Sequence, residues 1–88
     1  MEACWVYALA SLSRSYIYVG ITEDLDERFG RHQQGRERTT KPYRPFFLLY
    51  SEMAPDRKAA REREKFLKSG QGKEYLKGLR DTYPDLPR

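Results

Sequence analysis

The sequence predicts a small α+β fold: a three-stranded antiparallel sheet flanked by helices, in the order strand, strand, helix, strand, helix, helix. Three observations carry that expectation. Residues 5–10 and 15–21 are β-branched and aromatic runs separated by a short polar loop. Residues 45–50, Pro-Phe-Phe-Leu-Leu-Tyr, form a continuous apolar run of strand length. Charged stretches on either side of that run carry apolar residues at helical spacing. With 88 residues, the chain buries only ~60% of its unfolded surface, enough for one modest core. Its mean hydropathy of −0.90 is that of a polar chain, yet 7 Tyr, 4 Phe and 1 Trp supply apolar bulk that disordered sequences lack.

Ser11-Leu12-Ser13-Arg14 reads as a four-residue hairpin loop, which sets Tyr7 opposite Tyr18 and Trp5 opposite Gly20. Alternation then places Val6, Ala8, Ile17 and Val19 on one face, and Trp5, Tyr7, Leu9, Tyr16 and Tyr18 on the other. Asp24 with Glu27 suits a capping box opening a first helix, whose stripe is Leu25, Phe29 and His32 and which Gly35 ends. Residues 36–45 form a basic, Pro-containing loop. The third strand over 45–50 is expected to be covered on both faces. Pro55 suits the first turn of a charged helix reaching Lys68, which Ser69-Gly70-Gln71-Gly72 breaks. A last short helix is expected over 73–81, through Tyr75, Leu76 and Leu79. The domain reading is one domain over residues 1–83, followed by a short Pro-containing tail over 84–88.

The net charge of +4 hides an uneven distribution. Residues 28–44 carry +5, residues 57–80 carry +6, and the remainder carries −7. Two basic blocks on an acidic frame suggest an anionic partner with a defined footprint, nucleic acid first, although charged helices also simply face solvent. Arg36, Arg38, Lys41 and Arg44 in the loop, with Lys68 and Lys73 in the second block, are the candidate nucleic-acid contacts. No apolar run approaches the ~20 residues of a membrane helix, and residues 1–22 lack a secretory pattern, so the expectation is a cytoplasmic protein with no membrane partner. One cysteine, Cys4, excludes an intrachain disulfide, and with the single His32 it cannot build a Cys/His zinc site.

Three pairings carry candidate chemistry. Tyr7 and Tyr18 put two phenols on one sheet face. A phenol titrates near ~10, so as a base it needs help from a neighbouring cation or metal-bound water, and tyrosine pairs are also ordinary packed strand residues. Arg28 and His32, four apart on the first helix, project to one side. That suits a phosphate, with the guanidinium on its oxygens and the imidazole handling a proton, or simply an exposed Arg beside a flank His. Glu64 falls at the margin of the apolar arc of Ala60 and Leu67, where a carboxylate can hold a divalent cation such as Mg²⁺. Arg63 lies nearer the centre of that arc, and Glu64 with Lys68 is also an ordinary ion pair four apart, so periodicity leaves both readings open.

Taken together, Trp5-Val6-Tyr7, Tyr18-Val19-Gly20, Arg28 with His32, and Glu64 in Arg63-Glu64-Lys65-Phe66-Leu67-Lys68 resemble the GIY-YIG nuclease superfamily, from about residue 5 to 79. Tyr43-Arg44-Pro45-Phe46-Phe47 and the run 68–76 resemble its short stand-alone bacterial branch, similar also to the catalytic domain of the excision-repair nuclease (excinuclease). Three departures stand out. Trp5 replaces the first motif's glycine, Ile21 and Thr22 stand where the repair branch has a lysine, and the chain has no asparagine.

The resemblance implies a GIY-YIG fold and an endonuclease that hydrolyses DNA phosphodiester bonds around one divalent metal, Mg²⁺ or Mn²⁺, structure-selective and linked to repair or recombination. By the same resemblance, Glu64 is the metal ligand, Arg28 stabilises charge on the phosphate, and Tyr7 with Tyr18 or His32 activates or positions the attacking water. The expected partner is DNA, branched and single-stranded forms included, with another protein supplying specificity. The rival from another class is a nucleic-acid-binding module that keeps the fold without turnover.

Overall fold

Aliphatic and aromatic runs build β1 (Cys4–Ser11) and β2 (Ile17–Thr22), and the apolar run feeds β3 (Phe46–Ala54). The computed structural model describes residues 3–88; Met1 and Glu2, where the expected domain begins, lie outside the described residues. The three strands form one antiparallel sheet in the order β2-β1-β3, so β1 is central and both neighbours are edges. Helix α1 (Leu25–Gln33) covers one face, and α2 (Arg57–Lys68) with α3 (Gly70–Asp81) covers the other. The α+β class and element order are those the sequence predicts.

The hairpin register is not. Tyr7 pairs with Gly20, Leu9 with Tyr18 and Trp5 with Thr22, two residues away from the expected partners. The cause is a turn centred one residue later than expected. β1 runs through Ser11, whose amide donates to the Tyr16 carbonyl at 2.9 Å, and the Ser11 hydroxyl accepts from the amides of Ser13 and Arg14. Because the slip is two and not one, every side chain keeps its predicted face. Tyr7 and Tyr18 become diagonal neighbours, their ring centroids 6.2 Å apart.

The sheet separates two cores. Cys4, Val6, Ala8, Ala10 and Val19 meet Leu49, Ala60, Leu67 and Leu76 under α2 and α3. Tyr7, Leu9 and Phe46 meet Tyr18, Leu25 and Phe29 under α1. β3 serves both through a bulge opposite Ala8 and Leu9, which inserts Leu49 between Leu48 and Tyr50 and explains a continuous apolar run in an edge strand. β3 also continues to Ala54, beyond the expected end at Tyr50, since an edge strand needs only one buried face and Ser51 and Met53 stay exposed.

All three helices are capped by side chains. Asp24 accepts from the Glu27 amide at 3.1 Å and Asp56 from the Ala59 amide at 2.8 Å, which puts Pro55 before the cap and not in the first turn. The last helix begins at Gly70, three residues earlier than expected. Ser69 ends α2 and caps α3 in one residue, accepting from the Gly72 amide at 3.3 Å. Gly72 does not break the helix; it lets α3 close on α2, since a Cβ there would stand 2.1 Å from the Phe66 carbonyl oxygen and 2.4 Å from the Leu67 Cα. Beyond α3, Leu86 is buried in the core beneath α2 and α3, and Tyr83 packs on Phe47. No helix among the described residues is long and apolar enough to cross a membrane.

Candidate active site

One groove collects three of the five candidate catalytic residues, Tyr18, Arg28 and Glu64. It opens along the β2 edge and is lined by Tyr18 and Gly20 of β2, Arg28 of α1, and Arg57, Arg61 and Glu64 of α2. Three elements that are distant in sequence therefore supply a phenol, a guanidinium and a carboxylate to one concavity.

Glu64 resolves its ambiguity on the groove side. Its side chain is 15% exposed, against 64% for Arg61 and 55% for Lys68, which approach its two oxygens at 3.7 and 3.2 Å. Arg63 turns to β3 instead, where its Nε donates to Glu52 at 2.9 Å and its guanidinium lies over Phe66. The two residues that competed for the apolar arc thus flank it on opposite sides.

Arg28 faces the groove from the other wall. Its Nε is buried and has no hydrogen-bond partner among the described residues; the nearest acid, Glu37, lies 3.8 Å away and is already taken by Arg31 Nε at 2.6 Å. That hydrogen bond from Arg31 holds the Glu37 carboxyl below the usual range. A buried N–H without an acceptor is costly, so Arg28 is arranged to meet an anion that enters the groove.

His32 does not stand beside Arg28 on the groove. It is 1% exposed, enclosed by the rings of Tyr7, Tyr18 and Phe46, with both nitrogens occupied: Nε2 lies 2.9 Å from the Tyr7 hydroxyl and Nδ1 2.7 Å from Thr40 Oγ1. Thr40 Oγ1 in turn donates to the Glu37 carbonyl at 3.5 Å. That direction makes Nδ1 the protonated nitrogen and leaves Nε2 to accept from Tyr7. Desolvation pushes the His32 pKa down, keeping the ring neutral, and desolvation pushes the Tyr7 pKa up, opposed in part by Arg28. Two hydrogen bonds between the Gln33 side-chain amide and the Phe46 backbone tie the end of α1 to β3 and fix this cluster.

Gly20 connects the buried pair to the groove. Tyr7, directly across from it, lays its ring over the glycine: a Cβ there would stand 2.8 Å from the Tyr7 hydroxyl oxygen and 2.9 Å from Tyr18 Cε2. The ring over Gly20 is Tyr7 and not Trp5, a direct result of the shifted register.

The basic residues divide. Arg36, Arg38 and Lys41 are exposed on the loop and none lines the groove. Arg44 is committed to structure, its guanidinium packed on Gly35 and donating to the Gln34 carbonyl at 3.0 Å. Lys68 and Lys73 line a neighbouring cavity. The sequence reading missed Arg57 and Arg61, although Arg57, Arg61, Glu64 and Lys68 recur at helical spacing along one face. It also missed Thr40, which reaches His32 only because the loop folds back.

The donor set defines which metal fits. No group of three or more His, Cys, Asp or Glu side chains that could together hold a metal ion occurs among the described residues. Three acids line the groove, but Asp24 caps α1 and Glu23 pairs with Arg57 at 3.5 Å, so Glu64 is the candidate ligand, and so few protein oxygens suit a hard cation that keeps water and phosphate oxygens in its shell. A family model described as the GIY-YIG catalytic domain matches residues 3–77. No curated protein and no solved structure gives a match.

Proposed function

The chain belongs to the GIY-YIG family of nuclease domains, and on that premise we propose that it is a metal-dependent endonuclease acting on DNA phosphodiester bonds. The observation that carries the reading is the groove in which Arg28, whose Nε has no hydrogen-bond partner among the described residues, and the Glu64 carboxylate line one concavity beside Gly20.

The scissile phosphate sits between those walls, its non-bridging oxygens on Arg28 and Arg61. Glu64 holds the divalent cation, Mg²⁺ or Mn²⁺, which supplies Lewis-acid charge to the phosphate. Tyr7 acts through His32: as the attacking water gives a proton to the phenolic oxygen, the phenol passes its own to Nε2, and the imidazolium so formed, itself disfavoured by burial, returns that proton through Tyr7 to solvent once the ester is cleaved. Water adds to phosphorus, one ester oxygen leaves, and that oxygen takes its proton from solvent. Tyr18, half-buried at the groove wall, orients the water. The exposed Arg36, Arg38 and Lys41 extend the phosphate track. A repair or recombination setting, with another protein supplying specificity, accords with so small a recognition surface.

The test incubates the full chain with nicked, branched and single-stranded DNA and Mg²⁺ or Mn²⁺. Cleavage is expected, and is expected to vanish in Glu64→Ala and Arg28→Ala; cleavage surviving both overturns the assignment. The ion pairs of Glu64 with Arg61 and Lys68 favour a second reading, a non-catalytic nucleic-acid-binding module. It predicts salt-sensitive DNA binding with no change at Glu64 on adding either metal.

A further inference from the structure

A second concavity, of about 440 Å³, continues the groove along the β2 edge. The groove takes its β2 lining from Tyr18 and residues 20–22 and the cavity from residues 17–19, with Ser15 and Tyr16 before the strand, so Tyr18 belongs to both. At about 3.3 Å per strand residue, their centres on β2 are about 7 Å apart, within reach of a nucleotide next to the scissile one.

The cavity has two kinds of wall. Its floor is apolar, from Ile17 and Val19 of β2 and Leu67 and Leu76 of the two helices, and Tyr16, held flat by stacking on Tyr43 at 3.7 Å, stands at one side. Its other wall is cationic, from Lys68, Lys73, Lys77 and Arg80. Arg80 is the unusual member. It is more than nine-tenths buried; its Nε has no hydrogen-bond partner among the described residues and lies 3.8 Å from the Asp81 carboxylate, while its Nη1 donates to the Ser15 hydroxyl at 3.4 Å. Asp81 is shared with Arg88, and Glu74 is drawn to Lys77 at 3.6 Å, so neither acid neutralises the wall fully. A buried guanidinium with an unpartnered N–H, lining the same cavity as an apolar floor, matches an occupant with a flat apolar body and an acceptor edge. The exposed Lys73 and Lys77 beside it match an attached phosphate.

We propose that this cavity receives the base of an unpaired nucleotide flanking the scissile phosphate, with Arg80 donating to an acceptor on the base edge and Lys73 and Lys77 on its phosphate. A base held in a duplex stack cannot enter, so the substrate class is DNA with a single-stranded segment. The position of the scissile phosphate rests on the endonuclease reading; the cavity's affinity for a nucleotide does not.

The experiment titrates the isotope-labelled full chain, without divalent metal, with thymidine 5′-monophosphate, thymidine and inorganic phosphate, and follows backbone amides. The monophosphate is expected to shift Ile17, Val19 and Leu76 together with Lys77, and inorganic phosphate to leave the floor residues unmoved. In parallel, Lys77→Glu and Arg80→Gln are expected to weaken binding of a short single strand roughly tenfold and to change binding of a blunt duplex of the same sequence far less. Lys77 is exposed, so its variant folds even if the Arg80 variant does not. Identical shifts from phosphate and nucleotide, or equal loss on single strand and duplex, overturn the proposal. Cleavage of DNA with no nucleotide shift at the cavity overturns it alone; nucleotide binding there without any cleavage upholds the cavity and removes only the catalytic reading.

Discussion

The Tyr7 hydroxyl lies 2.9 Å from His32 Nε2 in a pocket where both residues are essentially inaccessible to solvent. The pair joins the central strand to the first helix, and Thr40 fixes its proton direction from the far side of the imidazole. A buried hydrogen bond of this kind ties stability to chemistry, because removing either partner strands the other in a dry site. Tyr7→Phe leaves Nε2 without its donor and is expected to cost about 1–3 kcal/mol in urea unfolding. It is expected to lower cleavage by about 10²–10⁴-fold if the phenol relays a proton. A loss of stability with full cleavage reduces Tyr7 to a packing residue.

The pH dependence follows from His32. Its pKa in the folded chain is pushed below the ordinary 6.5 by burial, so at acidic pH the unfolded chain binds the extra proton first. Stability is therefore complete above about pH 6.5 and is lost as pH falls from there toward the folded value. The relay needs neutral Nε2, so cleavage persists below pH 6.5 and fails only once the buried ring charges. Chemical unfolding measured at pH 7 and at pH 5.5 checks the first statement, and a pH–rate profile the second. A rate that halves at the ordinary histidine value contradicts the buried assignment.

Gly20→Ala probes the closest approach in the site. The new Cβ meets the Tyr7 oxygen at 2.8 Å and Tyr18 Cε2 at 2.9 Å, and Tyr7 cannot withdraw because His32 holds it. Overpacking of this sort costs about 1–3 kcal/mol. The expected variant folds, unfolds at lower urea, and loses cleavage out of proportion to its stability. Gly30→Ala, with no neighbour within 4 Å of the added Cβ, is the control and is expected to be neutral or slightly stabilising.

Element type and face were legible in the sequence because both depend on local periodicity. Val6 and Ala8 face α2 and α3, and Tyr7 and Leu9 face α1, whichever partner lies across the hairpin. Register was not legible, since it depends on where the turn is centred, and the Ser11 hydroxyl, capping the turn from inside the strand, moves that centre by one residue. The same limit governed the site. Tyr7, His32 and Glu64 stood out by type and spacing, but periodicity alone could not choose between Glu64 and Arg63, which lie on opposite flanks of one helix. Thr40 carries no signal at all, since its contact with His32 is made by a loop that returns across eight residues. The Ser69-Gly70-Gln71-Gly72 run misled because glycine serves both to end helices and to let two backbones touch.

That second use makes Gly72→Ala a test of the helix corner. Its Cβ would fall 2.1 Å from a backbone carbonyl and 2.4 Å from a backbone Cα, neither of which is the free end of a side chain. Relief requires α3 to swing away from α2, opening the core around Leu67 and Leu76. The expected loss is about 3 kcal/mol or more, comparable to a large core truncation. Gly78→Ala in the same helix, with open space at its Cβ, is expected to cost nothing.

Glu64→Gln separates a catalytic carboxylate from a surface ion pair. Its partners Arg61 and Lys68 are largely exposed, and pairs of that kind contribute about 0–1 kcal/mol, so the variant is expected to unfold within 1 kcal/mol of the parent. If the carboxylate instead holds a cation that stabilises the scissile phosphate, cleavage falls by about 10²-fold or more. Paramagnetic Mn²⁺ then broadens the amides of Glu64 and its neighbours in the parent and not in the variant. Removing the metal with a chelator is expected to match the variant's loss in cleavage while leaving DNA binding, carried by the basic side chains, in place. Broadening that persists in Glu64→Gln would move the metal away from α2, and the carboxylate would then be only the anchor that keeps Arg61 and Lys68 beside the groove.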